Sequence, residues 1–408
     1  MRSPIPLILV AILAACDGED QAVRPSGPPQ LATGASYAVV KFPANLGGTQ
    51  SRGMAINRSR WIAGWSNLAD GTRHAALWRN GVITDLHTLG GPSSTVPWQG
   101  LNDAGMVVGI SQLDEVDPLD EDWSCELGGF IVNPNPTNLI CRGFVWQGGE
   151  MRELAPFGGT HSFATGINAL GQIVGWGETA VHDNTCVDKQ VLNFRAAIWE
   201  PNLGSKGRIK ARELPPWPGD PTSAATAIND AGQAVGISGL CDQAVGRFSA
   251  LRAIRWGRNG KPDTLPTLGG HAWHTPMDIN ERGDVVGFSN PSGDGSGADF
   301  AAHAFLWTDG SATAKDLHTL PGDALSEAFA INERGQVVGV SFGGSEGSHA
   351  FLWQNDVLLD LNDLVDIGPD VLQSAQDIDD DGRITGRVRD GVTGEILVFV
   401  ATPLGVAP

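Results

Sequence analysis

The sequence has few of the features that membrane-spanning or nucleic-acid-binding proteins need. Its amino-terminal apolar run, Ile5 to Ala15, has about 11 residues, half the length of a helix that crosses a bilayer. Positive charge is scarce: Lys and Arg total 27 against 46 Asp and Glu, which gives a net charge of −19. Such a surface repels phosphate backbones and anionic headgroups. We therefore expect no nucleic-acid partner and no peripheral contact with a membrane.

Catalytic motifs and metal-binding cysteine pairs are also missing. The sequence contains no His-Glu-x-x-His, no phosphate-binding loop and no Cys-x-x-Cys. Glycine, in contrast, is abundant, with 54 residues in 408 and no three-residue period. The composition therefore indicates a folded protein rich in turns, with no catalytic signature and no predicted cofactor.

The amino terminus has the pattern of a signal peptide. Arg2 precedes the apolar run, which ends in Leu-Ala-Ala-Cys16 and resembles a bacterial lipoprotein signal. We predict a signal peptide over 1–15, a lipidated Cys16 and a flexible tether over 16–35. The alternative is an ordinary secretory signal with an incidental cysteine. The predicted location is the cell envelope, with the choice of membrane left open.

One unit recurs seven times along the chain. Its first signature is an apolar residue, Asn, two or three variable residues, Gly and a short apolar run that ends in Gly, as in 331–339. The seven copies begin at Ile56, Leu101, Ile167, Ile228, Ile279, Ile331 and Ile378. A second signature is His303-Ala-Phe-Leu-Trp307, and a third is Asp85-Leu-His-Thr-Leu-Gly-Gly91. Repeats of this length determine architecture before any local pattern does.

Each signature predicts a hairpin or a strand. Asn caps the turn of the first hairpin and Gly supplies its positive φ, so the flanking apolar runs are adjacent antiparallel strands. The His-Ala-Phe-Leu-Trp run is too short and too apolar for a surface helix, and it begins a second hairpin. Arg60 stands where the first copy should have Gly. Four strands in each of seven units predict an all-β, seven-bladed β-propeller over 36–408.

The two ends of the chain carry complementary fragments of the unit. Residues 37–42 match its last strand and residues 396–400 match its His-Ala-Phe-Leu-Trp strand. We predict that these strands pair and close the ring, because an open solenoid, the alternative, would expose two sheet edges.

The signatures together resemble the HAF-type extracellular repeat family, named from its His-Ala-Phe strand. The resemblance covers 37–403, and the last copy, with Asp360-Leu-Asn and Gln376-Asp-Ile-Asp, is similar to the family's terminal repeat. It implies an exported propeller-like protein and implies no activity.

Three long insertions, at 112–142, 177–195 and 239–251, fall on one predicted face, where rigid scaffolds usually place recognition. They contain the four remaining cysteines, Cys125, Cys141, Cys186 and Cys241. In an exported protein these predict disulfides, and proximity favours Cys125 with Cys141 and Cys186 with Cys241 among three possible pairings. A zinc site is the alternative. The insertion acids Asp114, Glu115, Asp117, Asp120, Glu121 and Asp122 are interpreted as a solvated loop.

Candidate binding residues lie outside the repeat pattern on the same face. They are Trp98, His161, Trp217, Trp273, His271 and His274. The aromatic residues suit stacking on a sugar or peptide, or packing over the channel mouth, and the histidines suit a metal or a base. His74, His303 and His349 occupy one repeat position and are interpreted as structural. Asp377, Asp379 and Asp381 form a weak calcium candidate that coincides with a hairpin turn.

These patterns predict a lipid-anchored module that binds a protein or a glycan through the insertion face. The alternative is a glycan hydrolase or lyase whose site gathers residues from several blades over the channel. Carboxylates that converge there in the folded chain would favour the enzyme.

Overall fold

The computed structural model describes residues 36–405, apart from 44, 122–124, 126–137, 188, 201–208, 210 and 243–245. The predicted signal peptide (1–15), Cys16 and the tether (16–35) lie outside the described residues. The described chain is all-β, and its only helical elements are short 3-10 turns such as Phe248–Ala250 and Leu361–Leu364. Within this part of the chain, no helix has the length and apolar character needed to cross a bilayer.

The strands form groups of four, numbered here as sheets 1 to 7. Sheet 1 contains β2 (Gly47–Ile56), β3 (Ile62–Leu68), β4 (Arg73–Arg79) and β5 (Val82–Asp85). Sheet 2 contains β6 (Ser94–Thr95), β7 (Val107–Val116), β8 (Leu139–Gln147) and β9 (Glu150–Leu154). Sheet 3 contains β10 (Gly158–Ile167), β11 (Ile173–His182), β12 (Leu192–Trp199) and β13 (Ala211–Leu214). Sheet 4 contains β14 (Thr222–Ile228), β15 (Ala234–Gly239), β16 (Arg252–Trp256) and β17 (Pro262–Thr264).

The remaining strands complete the series. Sheet 5 contains β18 (Thr275–Ile279), β19 (Val285–Ser289), β20 (His303–Trp307) and β21 (Lys315–His318). Sheet 6 contains β22 (Leu325–Ile331), β23 (Val337–Gly344), β24 (Gly347–Gln354) and β25 (Val357–Asp360). Sheet 7 contains β26 (Val371–Ile378), β27 (Ile384–Arg389), β28 (Ile396–Leu404) and β1 (Ser36–Phe42). Sheets 7 and 1 are joined by one parallel bridge between Gln50 and Ile396.

The two ends of the chain meet in sheet 7. β1 pairs antiparallel with β28 over its whole length, from Ser36 opposite Leu404 to Phe42 opposite Val398. The predicted pairing of the first strand with the last is therefore present. It covers the edge of β28, which would otherwise expose unpaired backbone groups.

The Asn-x-x-Gly segments form the predicted hairpin turns. In sheet 4, Ile228 lies opposite Ala234, and the backbone N–H of Gly232 donates to the carbonyl of Asn229 at 3.0 Å with a φ of +75° at Gly232. Arg60 adopts the same left-handed conformation, with a φ of +60°. A side chain in this conformation costs about 1–2 kcal/mol, so the first turn keeps its shape at some cost.

The turn asparagines also connect each sheet to the next. The side-chain amide of Asn229 donates to the carbonyl of Asn280 at 3.0 Å, and Asn280 in turn donates to the carbonyl of Asn332 at 3.3 Å. We call the whole series the asparagine ring: Asn57, Asn102, Asn168, Asn229, Asn280, Asn332 and Asp379.

Asp379 offers no amide donor, and an arginine donates in its place. Arg383 Nε donates to Asp379 Oδ2 at 2.6 Å, and Arg383 Nη2 donates to the carbonyl of Arg58 at 3.4 Å. The last turn is thereby joined to the first turn, which follows Asn57 in the sequence.

Apolar clusters lie between consecutive sheets. One contains Ile173 and Trp199 of sheet 3 against Val108 and Leu154 of sheet 2. Another contains Val398 of sheet 7 with residues of sheet 1, so the last sheet packs on the first. Because both faces of each sheet are buried in this way, the strands are apolar on both sides.

Candidate functional site

The predicted aromatic binding residues are mostly core residues. Trp98 and Trp273 are each 1% exposed and lie in one apolar cluster with Phe163 and Trp176. The interpretation of these two side chains as surface platforms is therefore wrong, because their rings already pack against other rings. Trp217 is half-buried against the core between sheets 3 and 4. It alone of the three keeps an accessible ring.

The predicted histidines do not converge. His274 is 2% exposed, with its ring nitrogens on Ser289 Oγ (2.8 Å) and the carbonyl of Gly270 (3.1 Å), and burial lowers its pKa. The exposed His271 pairs through Nδ1 with Asp294 Oδ1 at 2.8 Å. Neither contacts His161.

His161 lies instead in a buried cluster of carboxylates. Its Nδ1 accepts from the backbone N–H of Cys141 at 3.0 Å, which leaves the proton on Nε2, 3.6 Å from Asp117 Oδ1. Glu178 accepts from the backbone N–H of His161 at 2.8 Å. Burial opposes a charge on His161, but Glu178 and Asp117 raise its pKa above the ordinary value.

The interpretation of the insertion acids as a solvated loop is wrong for two of them. Asp117 and Glu121 are 3% and 0% exposed, whereas Asp114, Glu115 and Asp120 face solvent; Asp122 lies outside the described residues. Glu121 accepts hydrogen bonds from the backbone of Val191 and Leu192 in the second insertion. Burial and the neighbouring Glu178 raise the pKa of Glu121 to about 7. The cluster thus fastens the first insertion to the second.

The cysteines form both predicted disulfides. Cys125 pairs with Cys141 within the first insertion, and Cys186 pairs with Cys241 between the second and the third. The zinc alternative is excluded for these four residues because their sulfurs are bonded to one another. Disulfides of this kind indicate an oxidising compartment outside the cytoplasm.

Removing the longer disulfide is expected to cost more stability than removing the shorter one. Cys186 and Cys241 are 55 residues apart, against 16 for Cys125 and Cys141. In the chain-entropy model the losses are about 4 and about 3 kcal/mol. Urea unfolding of the C186S/C241S and C125S/C141S variants measures both values. A larger loss for the shorter loop would show that local packing outweighs chain entropy.

The calcium candidates are engaged in protein contacts. The buried Asp377 accepts from the backbone N–H groups of Ile56 (2.7 Å) and Ile378 (2.8 Å). Asp379 belongs to the asparagine ring, and Asp381 lies 2.8 Å from Arg383. The carboxylates therefore hold a turn together, and those of Asp379 and Asp381 share the Arg383 guanidinium.

A second charged cluster, which we call the arginine–glutamate site, contains residues of sheets 1, 6 and 7 whose charges act on Arg52. Arg52 is on β2, Arg73 on β4, Glu327 on β22 and Arg387 on β27. Arg52 and Trp65 are cross-strand partners, as are Asn67 and Arg73, so these side chains share one face of sheet 1. The Arg73 guanidinium lies 3.7 Å from the centre of the Trp65 ring.

The site contains buried polar atoms without hydrogen-bond partners. Arg52 is 3% exposed and Glu327 is 0% exposed. Arg52 Nε and Nη1, Arg73 Nε and both carboxyl oxygens of Glu327 lack a partner. Further unpartnered buried atoms on the same face of sheet 1 are Trp65 Nε1 and Asn67 Oδ1. Native proteins satisfy nearly all such atoms, so a group of this size requires bound water or a ligand.

The electrostatics of the site follow from burial. Burial raises the pKa of Glu327 to about 8, an effect that the Arg52 charge opposes. Burial, together with the charges of Arg387 and Arg73, lowers the pKa of Arg52 well below its usual range, and burial lowers that of Arg73 to about 9. At neutral pH burial favours the protonated form of the Glu327 carboxyl group, whereas arginine keeps its positive charge in proteins. A cationic site therefore lies within a strongly acidic protein, and an anion would stabilise it.

Alignment of the repeated units contains a signal for this site. The strand register places Arg52 opposite Trp65 and Glu327 opposite Val340, just as Phe163 lies opposite Trp176 in sheet 3. Phe163 stacks on Trp176 with ring centres 4.7 Å apart. Charged residues at a position that is otherwise apolar or small are thus departures from the repeat, and the departure is visible in the sequence.

Comparison with known proteins gives structural neighbours only. No family model and no curated protein matches the chain. The β-propeller domain of the Trilobed protease from Pyrococcus furiosus is similar with a TM-score of 0.48 and 8% identity, over 88% of this chain and 100% of that one. An oligogalacturonate lyase in complex with manganese gives 0.42 and 11%, over 91% and 97%. Trypanosoma rangeli sialidase gives 0.38 and 11%, over 91% of this chain and 60% of that one.

Proposed function

We propose that the protein is an exported, lipid-anchored, seven-bladed β-propeller that binds an acidic glycan at the arginine–glutamate site. The observation that carries this proposal is the set of buried, unpartnered polar atoms on Arg52, Arg73 and Glu327. Sheets 1 to 7 are the blades, and the HAF-type repeat is the family. The lipid at Cys16 holds the propeller in the cell envelope.

Two features support a closed ring. The apolar cluster that contains Val398 of sheet 7 and Ile62 of sheet 1 packs the last sheet on the first, as other clusters do for consecutive sheets. Arg383 extends the hydrogen bonds of the asparagine ring from the last turn to the first. A ring that closes in this way leaves no sheet face exposed.

The mixture of donors and acceptors favours a sugar acid over a simple anion. A carboxylate accepts hydrogen bonds from guanidinium groups. It would therefore supply partners for the unpartnered nitrogens of Arg52 and Arg73. Asn67 Oδ1 is an acceptor, and it needs a donor such as a sugar hydroxyl. Sulfate, which has no donor at neutral pH, would leave this acceptor unsatisfied. Trp65 adds an aromatic ring beside the charges.

Calorimetric titration of the full chain with D-glucuronate, D-galacturonate, D-glucose, sulfate and an acidic peptide tests the proposal. We expect the uronates to bind and glucose not to bind, because only the uronates carry the carboxylate. Arg52→Gln and Arg73→Gln should each weaken uronate binding about 10- to 100-fold, the value of one or two charge-assisted hydrogen bonds. Arg212→Gln, on the exposed face of β13, is the matched control and should bind normally.

Three results would overturn the proposal. One is equal binding of glucose and glucuronate, and a second is unchanged uronate binding in both site variants. A third is preference for the acidic peptide, which would assign the site to a protein partner. Thermal melting of each variant separates loss of binding from loss of fold.

A second candidate function, glycan cleavage, is favoured by one observation. The Glu327 carboxyl is protonated at neutral pH because burial raises its pKa to about 8, so it could donate a proton to a glycosidic oxygen. However, the charged groups that act on Glu327 and Arg52 are guanidinium groups, and no second carboxylate of the described residues is among them. Hydrolysis ordinarily uses two carboxyl groups, so binding is the better supported function. Release of reducing ends from polyuronate, lost in Glu327→Gln while binding persists, would favour the enzyme.

A further inference from the structure

Two histidines and an aspartate converge at the outer strands of sheet 1. His74 is the second residue of β4, Asp85 is the last residue of β5, and His87 lies two residues after Asp85. His74 Nδ1 lies 2.9 Å from Asp85 Oδ1, and His87 Nδ1 lies 3.4 Å from Asp85 Oδ2. The ligand atoms of all three side chains lie within 4.8 Å of one another.

The same arrangement recurs in sheet 5. His303 Nδ1 lies 3.0 Å from Asp316 Oδ2, and His318 Nδ1 lies 3.4 Å from the same oxygen. The imidazole rings meet edge to face, with centres 6.4 Å apart in this sheet and 6.5 Å apart in sheet 1. The geometry is therefore a property of the repeated unit and not of one loop.

The backbone holds the outer histidine of each group in place. His87 and His318 both have a φ of +62°, an uncommon conformation for a residue other than glycine. In both groups the backbone N–H of that histidine donates to the aspartate at 2.7 Å. The carbonyl of each accepts from a serine hydroxyl of the following sheet at 2.6 Å. The imidazoles of His87 and His318 are each 77% exposed, and the backbone conformation holds each of them beside the aspartate of its group.

Sheet 6 shows what the unit does without the second histidine. Asn362 occupies the position two residues after Asp360 and makes the same backbone hydrogen bond to it, at 2.8 Å. His349 then lies 3.5 Å from Asp323 instead. The backbone hydrogen bond to the aspartate therefore forms without an imidazole at this position, here within the 3-10 turn Leu361–Leu364, so this bond alone does not require His87 or His318.

We propose that His74, Asp85 and His87 bind one divalent transition metal ion, and that His303, Asp316 and His318 bind a second. Two imidazoles and a carboxylate are a common ligand set for Zn²⁺ and related ions. Ligands about 2.1 Å from a tetrahedral ion lie about 3.4 Å apart, close to the separations in both groups. Three protein ligands leave a coordination position for water or for a ligand atom of a partner. The exposed His87 and His318 give the ion access from solvent.

The test is titration of the EDTA-treated full chain with Zn²⁺, followed by calorimetry. We expect two Zn²⁺ ions per chain, one in His87→Ala, one in His318→Ala and none in the double variant. His182→Ala removes an exposed histidine outside both groups and should retain two. Co²⁺ in place of Zn²⁺ should give visible absorption without a thiolate band, which excludes Cys16 as the ligand.

Two outcomes would overturn the proposal. If Zn²⁺ does not bind at micromolar concentration, the three side chains of each group serve only as hydrogen-bond partners of one another. Binding that persists unchanged in the double variant would place the ions elsewhere. Because His87 and His318 are largely exposed, the variants should melt with the parent, and a matched melting temperature shows that lost binding is not lost fold.

Discussion

Replacing Asn229 with Ala is expected to lower the free energy of unfolding by about 2–4 kcal/mol. Asn229 is 3% exposed, and its amide donates to the carbonyl of Asn280 (3.0 Å) and to Gln233 Oε1 (2.9 Å). Its Oδ1 accepts from the backbone N–H of Gln233 at 2.9 Å. The substitution removes all three bonds, each worth about 0.5–1.5 kcal/mol, and leaves buried backbone groups unpaired. Urea unfolding at neutral pH measures the loss.

Asn259 supplies the matched control. It is exposed, and its side chain accepts from the backbone N–H of Lys261 within one turn. Asn259→Ala should therefore cost less than about 1 kcal/mol. An equal loss for the two variants would contradict a structural role of the asparagine ring.

The natural exception in the ring provides a rescue. Asp379 and Arg383 together replace an asparagine, because the arginine neutralises the aspartate and supplies the missing hydrogen-bond donor. Asn229→Asp alone should destabilise the protein at least as much as the alanine variant, because it buries an unpaired charge. Adding Gln233→Arg should restore most of the stability. A double variant no more stable than Asn229→Asp would show that the exchange depends on the neighbouring first turn.

The stability of the protein is expected to fall between about pH 4.5 and pH 8 because of Glu327. Its folded-state pKa is raised by burial to about 8 from the ordinary value of 4.5. The stabilising contribution is fully present below the lower value, where Glu327 is protonated in both states. It is lost as the pH rises, because the unfolded chain then releases a proton that the folded chain retains. At about 1.4 kcal/mol per unit of pKa, the loss amounts to about 4–5 kcal/mol.

Glu327→Gln should remove this pH dependence. Glutamine has nearly the same shape as the protonated carboxyl group and does not titrate, so the variant should match the parent near pH 4.5 and exceed it at pH 8. Urea unfolding at several pH values measures the difference, and the exposed Glu213→Gln on β13 controls for the loss of one carboxylate. Parallel curves for the parent and Glu327→Gln would contradict a neutral, buried Glu327. An acidic ligand bound beside Arg52 should add stability to both.

Local chemistry made much of the architecture predictable. The Asn-x-x-Gly pattern predicted the turn at Asn229, because the two residue types have intrinsic turn geometries. Complementary fragments predicted that β1 pairs with β28, and proximity in the sequence predicted both disulfides. Each of these inferences depends on a short segment or on a repeat of one.

The sites were not predictable in the same way. Arg52 and Glu327 are far apart in the sequence, and only packing of sheets 6, 7 and 1 brings their charges together. For Trp98 and Trp273 the sequence left ligand stacking and packing as alternatives, because exposure depends on what covers a side chain, which a repeat pattern does not record. His74 was interpreted as a structural residue, and His87 was not among the candidate ligands. The same spacing nevertheless recurs in His303 and His318.

The sequence by itself determined the strands, the turns and the order in which they pair, because hydrophobic alternation and turn propensity act between near neighbours. Tertiary structure alone decided which polar side chains are buried without partners and which carboxyl groups are protonated. Desolvation depends on the whole surroundings of a group, and those surroundings come from several sheets at once.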